Sequence, residues 1–255
     1  MKGLWHFLKV LRGHWYLARM AGPAVLKAFA RRYPEAFFIQ VGANDGQMMD
    51  PLRKLVLASR WRGLAIEPVP QLFRSLQQNY AAVAQRVQPV NLAVATEAGE
   101  LPFFHLGNQP GLAPLPEWAN GLGSFRKDVI LKHANRIQGF EHYLREIKVS
   151  SVTWDELCQR YQVQRIDLVV TDTEGYDFEI IRQIDFQRGK PGMIVYEHHH
   201  FSTQTRAECR ALLQGQGYLQ FEEGLDTWCV HPDAGADLMR LARRAIRRSR
   251  FATEV

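Results

Sequence analysis

Two short apolar runs, each followed by small or acidic residues, constrain most strongly how this chain folds. The first run, residues 37–41, leads into a loop of small and polar residues: Gly42, Ala43, Asn44, Asp45 and Gly46. The second run, residues 62–66, ends at Glu67. An apolar run bounded by glycine predicts a buried parallel strand, and a carboxylate after the next strand can accept hydrogen bonds from both hydroxyls of a ribose. The pair predicts a nucleoside site at the carboxyl edge of a sheet.

The residues of the loop discriminate between classes of nucleoside cofactor. Dinucleotide sites use G-x-G-x-x-G, whose glycines let the backbone approach a pyrophosphate. Here Asn44 stands where the pyrophosphate would need glycine, and Asp45 adds negative charge where a phosphate would lie. S-adenosylmethionine has no phosphate and carries a sulfonium and an ammonium group, so it suits this loop. A plain glycine turn at a strand end is the alternative, and Glu67 favours the cofactor.

Further strand and helix patterns alternate along the chain. Strand candidates lie at residues 90–94, 166–170 and 192–197, and helical periodicity covers residues 71–82 and 155–161. This order predicts an α/β fold with a doubly wound, mostly parallel sheet and helices on both faces. Asn91 in the third candidate strand is placed either to face an adenine edge or to end the strand.

Four motifs follow one another along the chain: VGANDG at residues 41–46, EPVP at 67–70, VTWDEL at 152–157 and DTEGYD at 172–177. Together they resemble the FkbM family of S-adenosylmethionine-dependent methyltransferases, over roughly residues 37–200. The resemblance implies a Rossmann-like class I methyltransferase fold and O-methylation of hydroxyls on sugars or polyketide-type products. It also implies cofactor roles for Gly42, Asn44, Glu67 and Asp172. The family often has lysine before the acidic motif, where this chain has Val170, so a lysine contact is missing or replaced.

A methyl acceptor must be held in line with the methyl group and must lose its proton as the new bond forms. Three histidines follow the last candidate strand, and histidine titrates near physiological pH. We assign the general base to His198, with Glu174 as its competitor or partner. A rival interpretation is that Asp172, Glu174, Glu197 and His199 bind magnesium or a related ion; we assign no metal.

The charge distribution divides the chain into a core and two basic ends. Thirteen of the 32 Lys and Arg residues lie in residues 1–35 and 240–255. We therefore predict a basic N-terminal helical extension (1–35), a methyltransferase domain (36–232) and an Arg-rich C-terminal helix or tail (233–255). The basic helices would either contact an anionic membrane surface or pack on the acidic core or on a second subunit in a homodimer. Residues 105–148 would form a substrate-covering lid or a dimerisation arm.

Several other functions are disfavoured by the sequence. No basic nucleic-acid groove is evident in the core, and the three cysteines lack the spacing of a disulfide framework or a zinc ribbon. The expected partner is a small-molecule or glycan acceptor, and the expected compartment is the cytoplasm. A noncatalytic protein that binds S-adenosylmethionine is an alternative. A nicotinamide-dependent oxidoreductase is a weaker one, because the chain has no evident Tyr-x-x-x-Lys pair.

Overall fold

The computed structural model describes residues 20–48 and 50–255. In chain order the strands are β1 (Phe37–Val41), β2 (Arg62–Ile66), β3 (Val87–Val90), β4 (Ala93–Val94), β5 (Gly99–Leu106), β6 (Gly123–Ser124), β7 (Leu144–Val152), β8 (Leu168–Thr171), β9 (Met193–Glu197), β10 (Leu219–Glu223), β11 (Asp226–Val230) and β12 (Ala252–Glu254). The helices are α1 (Ala21–Arg32), α2 (Arg53–Ala58), α3 (Pro70–Asn79), α4 (Lys127–Leu131), α5 (Trp154–Arg160), α6 (Asp177–Ile181), α7 (Thr203–Gly215) and α8 (Ala236–Arg248).

The main sheet has eight strands in the order β3-β2-β1-β8-β9-β11-β10-β12. The five strands from β3 to β9 run parallel, and β11 pairs antiparallel with β9. The central strands are apolar on both faces, as is typical of parallel strands covered by helices on each side. The chain leaves β1 towards β2 on one side and later returns to β8 on the other. Ligands of such sheets bind at this point of reversal, beyond the carboxyl ends of the strands.

Helices cover both faces of the main sheet. On one face, α1, α2, α3 and α8 enclose a core that includes Phe29, Trp61 and Tyr80. On the other face, α5, α6 and α7 enclose a second core around Trp154, Leu157 and Tyr196. This two-sided arrangement confirms the predicted Rossmann-like, class I methyltransferase fold.

A second, smaller sheet has the strand order β4-β7-β5-β6. Strand β5 pairs antiparallel with β7 over its whole length, from Gly99↔Ser151 to Leu106↔Leu144. Residues 105–148, which we call the insertion, contain β6, the end of β5 and the start of β7, so the insertion forms part of this sheet. The strand that the sequence predicts at residues 90–94 is divided: β3 ends at Val90 in the main sheet, and β4 joins the second sheet.

The C-terminal helix α8 packs against the main domain. Leu238, Ala242 and Ile246 are buried in the same core as α1, whereas Leu241 is exposed. Arg243 forms an ion pair with Glu254 of β12, with Nη1 and Oε1 3.0 Å apart. Residues 1–19 of the predicted N-terminal helical extension lie outside the described residues, and the membrane contact stays a prediction. Within residues 20–48 and 50–255, no helix has both the length and the apolar character needed to cross a membrane.

Candidate active site

The loop after β1 is a backbone cradle at the centre of the parallel sheet. The amide N–H groups of Gly42 and Ala43 both donate to the carbonyl of Ile66, at 3.0 and 2.9 Å. Gly42 has φ +81°, and a Cβ atom there would lie 1.8 Å from the carbonyl oxygen of Asp172. Only glycine fits such a close approach of two backbone segments. The cradle therefore joins the ends of β1, β2 and β8.

Asn44 and Gly46 continue the cradle in the left-handed region of backbone conformation. Asn44 has φ +52° and Gly46 has φ +68°. The side-chain oxygen of Asn44 accepts from the N–H of Asp45 at 2.7 Å, a local bond that suits asparagine to this conformation. A Cβ atom at Gly46 would collide with Leu76 and Tyr80. The loop shape thus depends on these residue types.

Glu67 lies directly after β2, with only 5% of its surface exposed. Its Oε2 accepts from the N–H of Asn44 and its Oε1 from the N–H of Val69, both at 2.9 Å. Burial raises the pKa of Glu67 to about 7, although the two N–H donors oppose the shift. Each carboxylate oxygen keeps lone-pair capacity for another donor. The group can therefore also receive two adjacent hydroxyls.

The carboxylate of Asp45 accepts hydrogen bonds from the backbone amides that would bind a phosphate in a dinucleotide site. Its Oδ1 accepts from the N–H groups of Gln47 and Met48, at 2.8 and 2.7 Å. The side-chain amide of Asn79 donates to the backbone carbonyl of Asp45 at 2.8 Å. Because a carboxylate already pairs with these amides, a pyrophosphate at this place would meet negative charge rather than free donors.

Asn91 acts on the backbone next to Glu67. Its side-chain N–H₂ donates to the carbonyls of Glu67 at 2.8 Å and Pro68 at 3.0 Å. Of the two roles that the sequence offers for Asn91, this geometry corresponds to ending the strand, and the residue supports the turn that carries Glu67.

Five carboxyl groups gather beyond the carboxyl ends of β8 and β9: Asp172, Glu174, Asp177, Glu197 and Asp226. Asp177 is fully buried, and its Oδ2 accepts from the hydroxyl of Thr173 at 2.9 Å. The pKa of Glu197 is raised, first by loss of hydration and then by the neighbouring carboxylates, of which Asp172 is the first. Asp172 is still reached by solvent at the sheet edge. This part of the site is thus suited to positively charged groups.

His200 and Glu174 form a close pair within this carboxylate cluster. The Nε2 atom of His200 lies 2.9 Å from Oε2 of Glu174, and both side chains are largely buried. Glu174 has φ +51°, which turns the loop after β8 towards β9. Oε2 of buried Glu197 lies 3.9 Å from the same His200 nitrogen.

His198 faces a different environment from His200. Its Nδ1 lies 2.8 Å from the hydroxyl of Thr227 on β11. Burial lowers the pKa of His198, and the charges of Glu222, Arg206 and Arg210 act on it next most strongly. The structure therefore brings Glu174 together with His200, not with His198.

The insertion contacts both loops of the site. Ser124 on β6, which is fully buried, donates its hydroxyl to the carbonyl of Glu174 at 2.8 Å. A Cβ atom at Gly121 would lie 2.0 Å from the side-chain nitrogen of Asn44. The ring of Phe125 packs on Tyr176, with centroids 4.9 Å apart. The insertion thus lies across the carboxyl edge of the main sheet.

The insertion also supplies a residue that sequence reasoning missed. One nitrogen of His133 and the donor atoms of Glu174 and His200 all lie within 4.8 Å of one another. His133 lies outside every motif, and no local pattern predicts that the insertion places it beside β9. A histidine in a long excursion from the sheet was the one available signal.

Comparisons with known protein sequences match this chain to methyltransferases. A family model described as the methyltransferase FkbM domain matches residues 40–219. The methyltransferase sdnD of Sordaria araneosa is 26% identical over 194 residues, which cover 71% of this chain and 73% of that protein.

Among solved structures, the FkbM methyltransferase of Methylobacillus flagellatus KT aligns with a TM-score of 0.48 and 12% identity over 77% of this chain. This chain covers only 44% of that structure. An O-methyltransferase from Bacillus cereus, solved with S-adenosylhomocysteine, aligns with a TM-score of 0.42 and 11% identity, over 90% of this chain and 91% of that one. Since the family model spans most of the chain, from β1 to β10, this protein belongs to the FkbM family of S-adenosylmethionine-dependent methyltransferases.

Proposed function

We propose that this enzyme transfers the methyl group of S-adenosylmethionine to a hydroxyl oxygen of a small-molecule or glycan acceptor. The observation that carries this proposal is the position of the Glu174–His200 pair, 2.9 Å apart, on the loops after β8 and β9. This pair lies at the same edge of the sheet as the Gly42–Glu67 cradle, and the insertion reaches both.

The residues of the cradle fit the cofactor. Glu67 would accept the ribose hydroxyls. Because Gly42 has no side chain, the backbone of the loop after β1 lies close to that of Asp172 at the centre of the site. The carboxylates near Asp172 would stabilise the positive charges of the cofactor. Asp45, which pairs with the amides of Gln47 and Met48, disfavours a nicotinamide dinucleotide.

S-adenosylmethionine supplies an activated methyl group, so the protein has to orient the acceptor and remove its proton. We infer that the acceptor hydroxyl is held against the Glu174–His200 pair. His200 therefore takes the role that we predicted for His198, whose ring nitrogen contacts Thr227 instead. Transfer forms the new C–O bond, breaks the S–CH₃ bond and leaves S-adenosylhomocysteine.

The insertion supports an acceptor with a ring structure. Trp118 is 40% exposed and its ring lies 5.7 Å from that of His133, centroid to centroid. The guanidinium of Arg136 lies over the same ring, 4.5 Å from its centroid, so an aromatic, a cationic and an imidazole group adjoin at this point. Aromatic side chains beside a few polar groups are typical of sites that bind sugars and other ring compounds. We therefore favour the lid role of the insertion over the dimerisation role.

Turnover with a panel of hydroxyl compounds tests this function. The assay measures S-adenosylhomocysteine released by the wild type, by His200→Ala and by His198→Ala. We expect activity with a sugar or polyketide-type alcohol and its loss in His200→Ala. Transfer to amines alone, or full activity of His200→Ala, would contradict the proposal.

A further inference from the structure

Three potential metal ligands from distant parts of the chain meet at one point of the structure. They are His133 of the insertion, Glu174 after β8 and His200 after β9, with one donor atom of each within 4.8 Å of the others. Two imidazoles and one carboxylate are a ligand set found at catalytic zinc sites and at other divalent transition-metal sites with open positions. These three residues are far apart in sequence and do not belong to one motif.

The environment of His133 points to a missing partner. Both of its ring nitrogens are shielded from solvent, and none of the described residues forms a hydrogen bond with either. A buried polar group without a hydrogen-bond partner lowers the free energy of unfolding by about 1–3 kcal/mol, so native structures rarely leave one unpaired. Imidazole nitrogen is among the preferred ligands of zinc and related ions.

A second unpartnered group lies beside the same point. Oε2 of Glu197 is buried without a hydrogen bond, and it lies 3.9 Å from Nε2 of His200. The side chain of Glu197 is 9% exposed and that of His200 is 5% exposed. A cation bound by His200 would also interact favourably with this carboxylate, either directly or through a water molecule.

The distances suit a transition-metal ion after a small adjustment. A tetrahedral ion with bonds of 2.0–2.1 Å holds its ligand atoms about 3.3 Å apart. His200 and Glu174 are already 2.9 Å apart, so mainly the ring of His133 has to move closer. Magnesium fits less well, because it prefers oxygen ligands and keeps several waters.

We propose that His133, Glu174 and His200 bind one divalent transition-metal ion, of which zinc is the best match, and that an open coordination position receives the acceptor hydroxyl. The metal site rests on the three ligands alone, whereas the role of the ion toward the acceptor rests on the proposed hydroxyl methylation. With the ion bound, His200 would act on the acceptor as a metal ligand rather than as the base itself. The ion would lower the pKa of the bound hydroxyl, whose proton passes to water as the C–O bond forms and the S–CH₃ bond breaks. The insertion would then be attached to the catalytic loops through the metal, so that closure over the acceptor and activation of the acceptor depend on one group.

Metal content of the full-length, tag-free protein tests the proposal. The purified protein is analysed by elemental mass spectrometry, stripped with a chelator and titrated with Co²⁺, whose visible ligand-field absorption reports its coordination. We expect one ion per chain in the wild type, and binding at least about tenfold weaker in His133→Ala and Glu174→Gln. His142→Ala is the matched control, because this histidine lies in the same insertion with a side chain that is 63% exposed. Mg²⁺ should not displace Co²⁺.

Thermal unfolding and titration with S-adenosylhomocysteine check that each variant is folded with an intact cofactor cradle. A wild type that binds S-adenosylhomocysteine but binds Co²⁺ and Zn²⁺ no better than His133→Ala overturns the metal site and leaves the proposed function standing. Metal binding that depends on His133 in a protein that cannot bind S-adenosylhomocysteine would support the metal site and contradict the proposed function.

Discussion

Replacing Glu67 by glutamine should weaken binding of S-adenosylhomocysteine by about 100-fold at pH 8. The carboxylate accepts one N–H at each oxygen, from Asn44 and Val69, and would accept the ribose hydroxyls as well. In Glu67→Gln one oxygen becomes an N–H₂ donor, which faces one of these amides and cannot accept from a hydroxyl. Hydrogen bonds to a charged group are worth roughly 1.5–3 kcal/mol each, and tenfold in affinity is about 1.4 kcal/mol. Losing one or two such bonds corresponds to the predicted factor.

The pH dependence of the same variant provides a second measurement. Because the pKa of Glu67 is about 7 in the folded protein, the wild type binds the ligand more weakly as the pH falls through 7. Glu67→Gln resembles the protonated form, so its affinity should not change over this range. Isothermal titration calorimetry at pH 5.5, 7 and 8.5 separates the two behaviours. Equal affinities of wild type and variant at pH 8.5 would refute this account of the cradle.

The free energy of unfolding should also depend on pH through Glu67, but in the opposite direction to ligand affinity. The folded-state pKa of Glu67, about 7, lies above the ordinary value of 4.5, so the folded protein binds more protons than the unfolded chain between these values. The contribution of Glu67 to stability is therefore complete below pH 4.5 and is lost as the pH rises through 7. The loss amounts to about 3 kcal/mol at 1.36 kcal/mol per pKa unit. Urea unfolding without ligand should show Glu67→Gln gaining stability relative to the wild type over this interval; a constant difference would contradict the assignment.

Three other substitutions test separate parts of the site. Gly42→Ala places a Cβ 1.8 Å from the carbonyl oxygen of Asp172 at φ +81°, so we expect a lower unfolding temperature and at least about tenfold weaker binding of S-adenosylhomocysteine in calorimetry. His200→Ala should lower kcat by roughly 10²–10⁴-fold while the affinity for S-adenosylhomocysteine changes little, as measured by steady-state turnover and titration. Ser124→Ala removes the hydrogen bond to the carbonyl of Glu174, which should cost about 1 kcal/mol in urea unfolding and raise KM for the acceptor.

Matched controls exist for two of these variants. Gly189→Ala adds a methyl group where no atom lies within 4 Å, and Ser150→Ala removes an exposed hydroxyl from β7. Both should leave cofactor affinity and stability close to those of the wild type. Gly42→Ala that behaves like Gly189→Ala would contradict the close approach of the two loops. An unchanged KM in Ser124→Ala would separate the insertion from acceptor binding.

The strands that build the cofactor cradle were predictable because their signal is local. Strands β1 and β2 are short, mostly apolar runs that end at glycine or a carboxylate, and the structure has them at the predicted residues. The prediction for residues 90–94 was wrong because Asn91 bonds back to two carbonyls and ends the pairing with β2. Pro89, which lacks an N–H, is tolerated in β3 because this is an edge strand.

The acceptor side of the site was less predictable because it depends on contacts between distant residues. The second sheet requires β5 to pair with β7, although most of the insertion lies between these two strands in sequence. The cluster of His133, Glu174 and His200 exists only once that sheet places the insertion across β8 and β9. Within the three consecutive histidines, the sequence alone did not show that His198 and His200 have different neighbours. Strand direction and the position of β11 decide this.

Calorimetric titration of the wild-type protein with S-adenosylhomocysteine, and separately with NAD⁺, tests the central claim most directly. The cradle of Gly42, Asn44 and Glu67, with Asp45 occupying the neighbouring amides, predicts one S-adenosylhomocysteine per chain and no heat of binding from NAD⁺. Binding of NAD⁺ in place of S-adenosylhomocysteine, or no binding of S-adenosylhomocysteine by a folded protein, would contradict the account of this site.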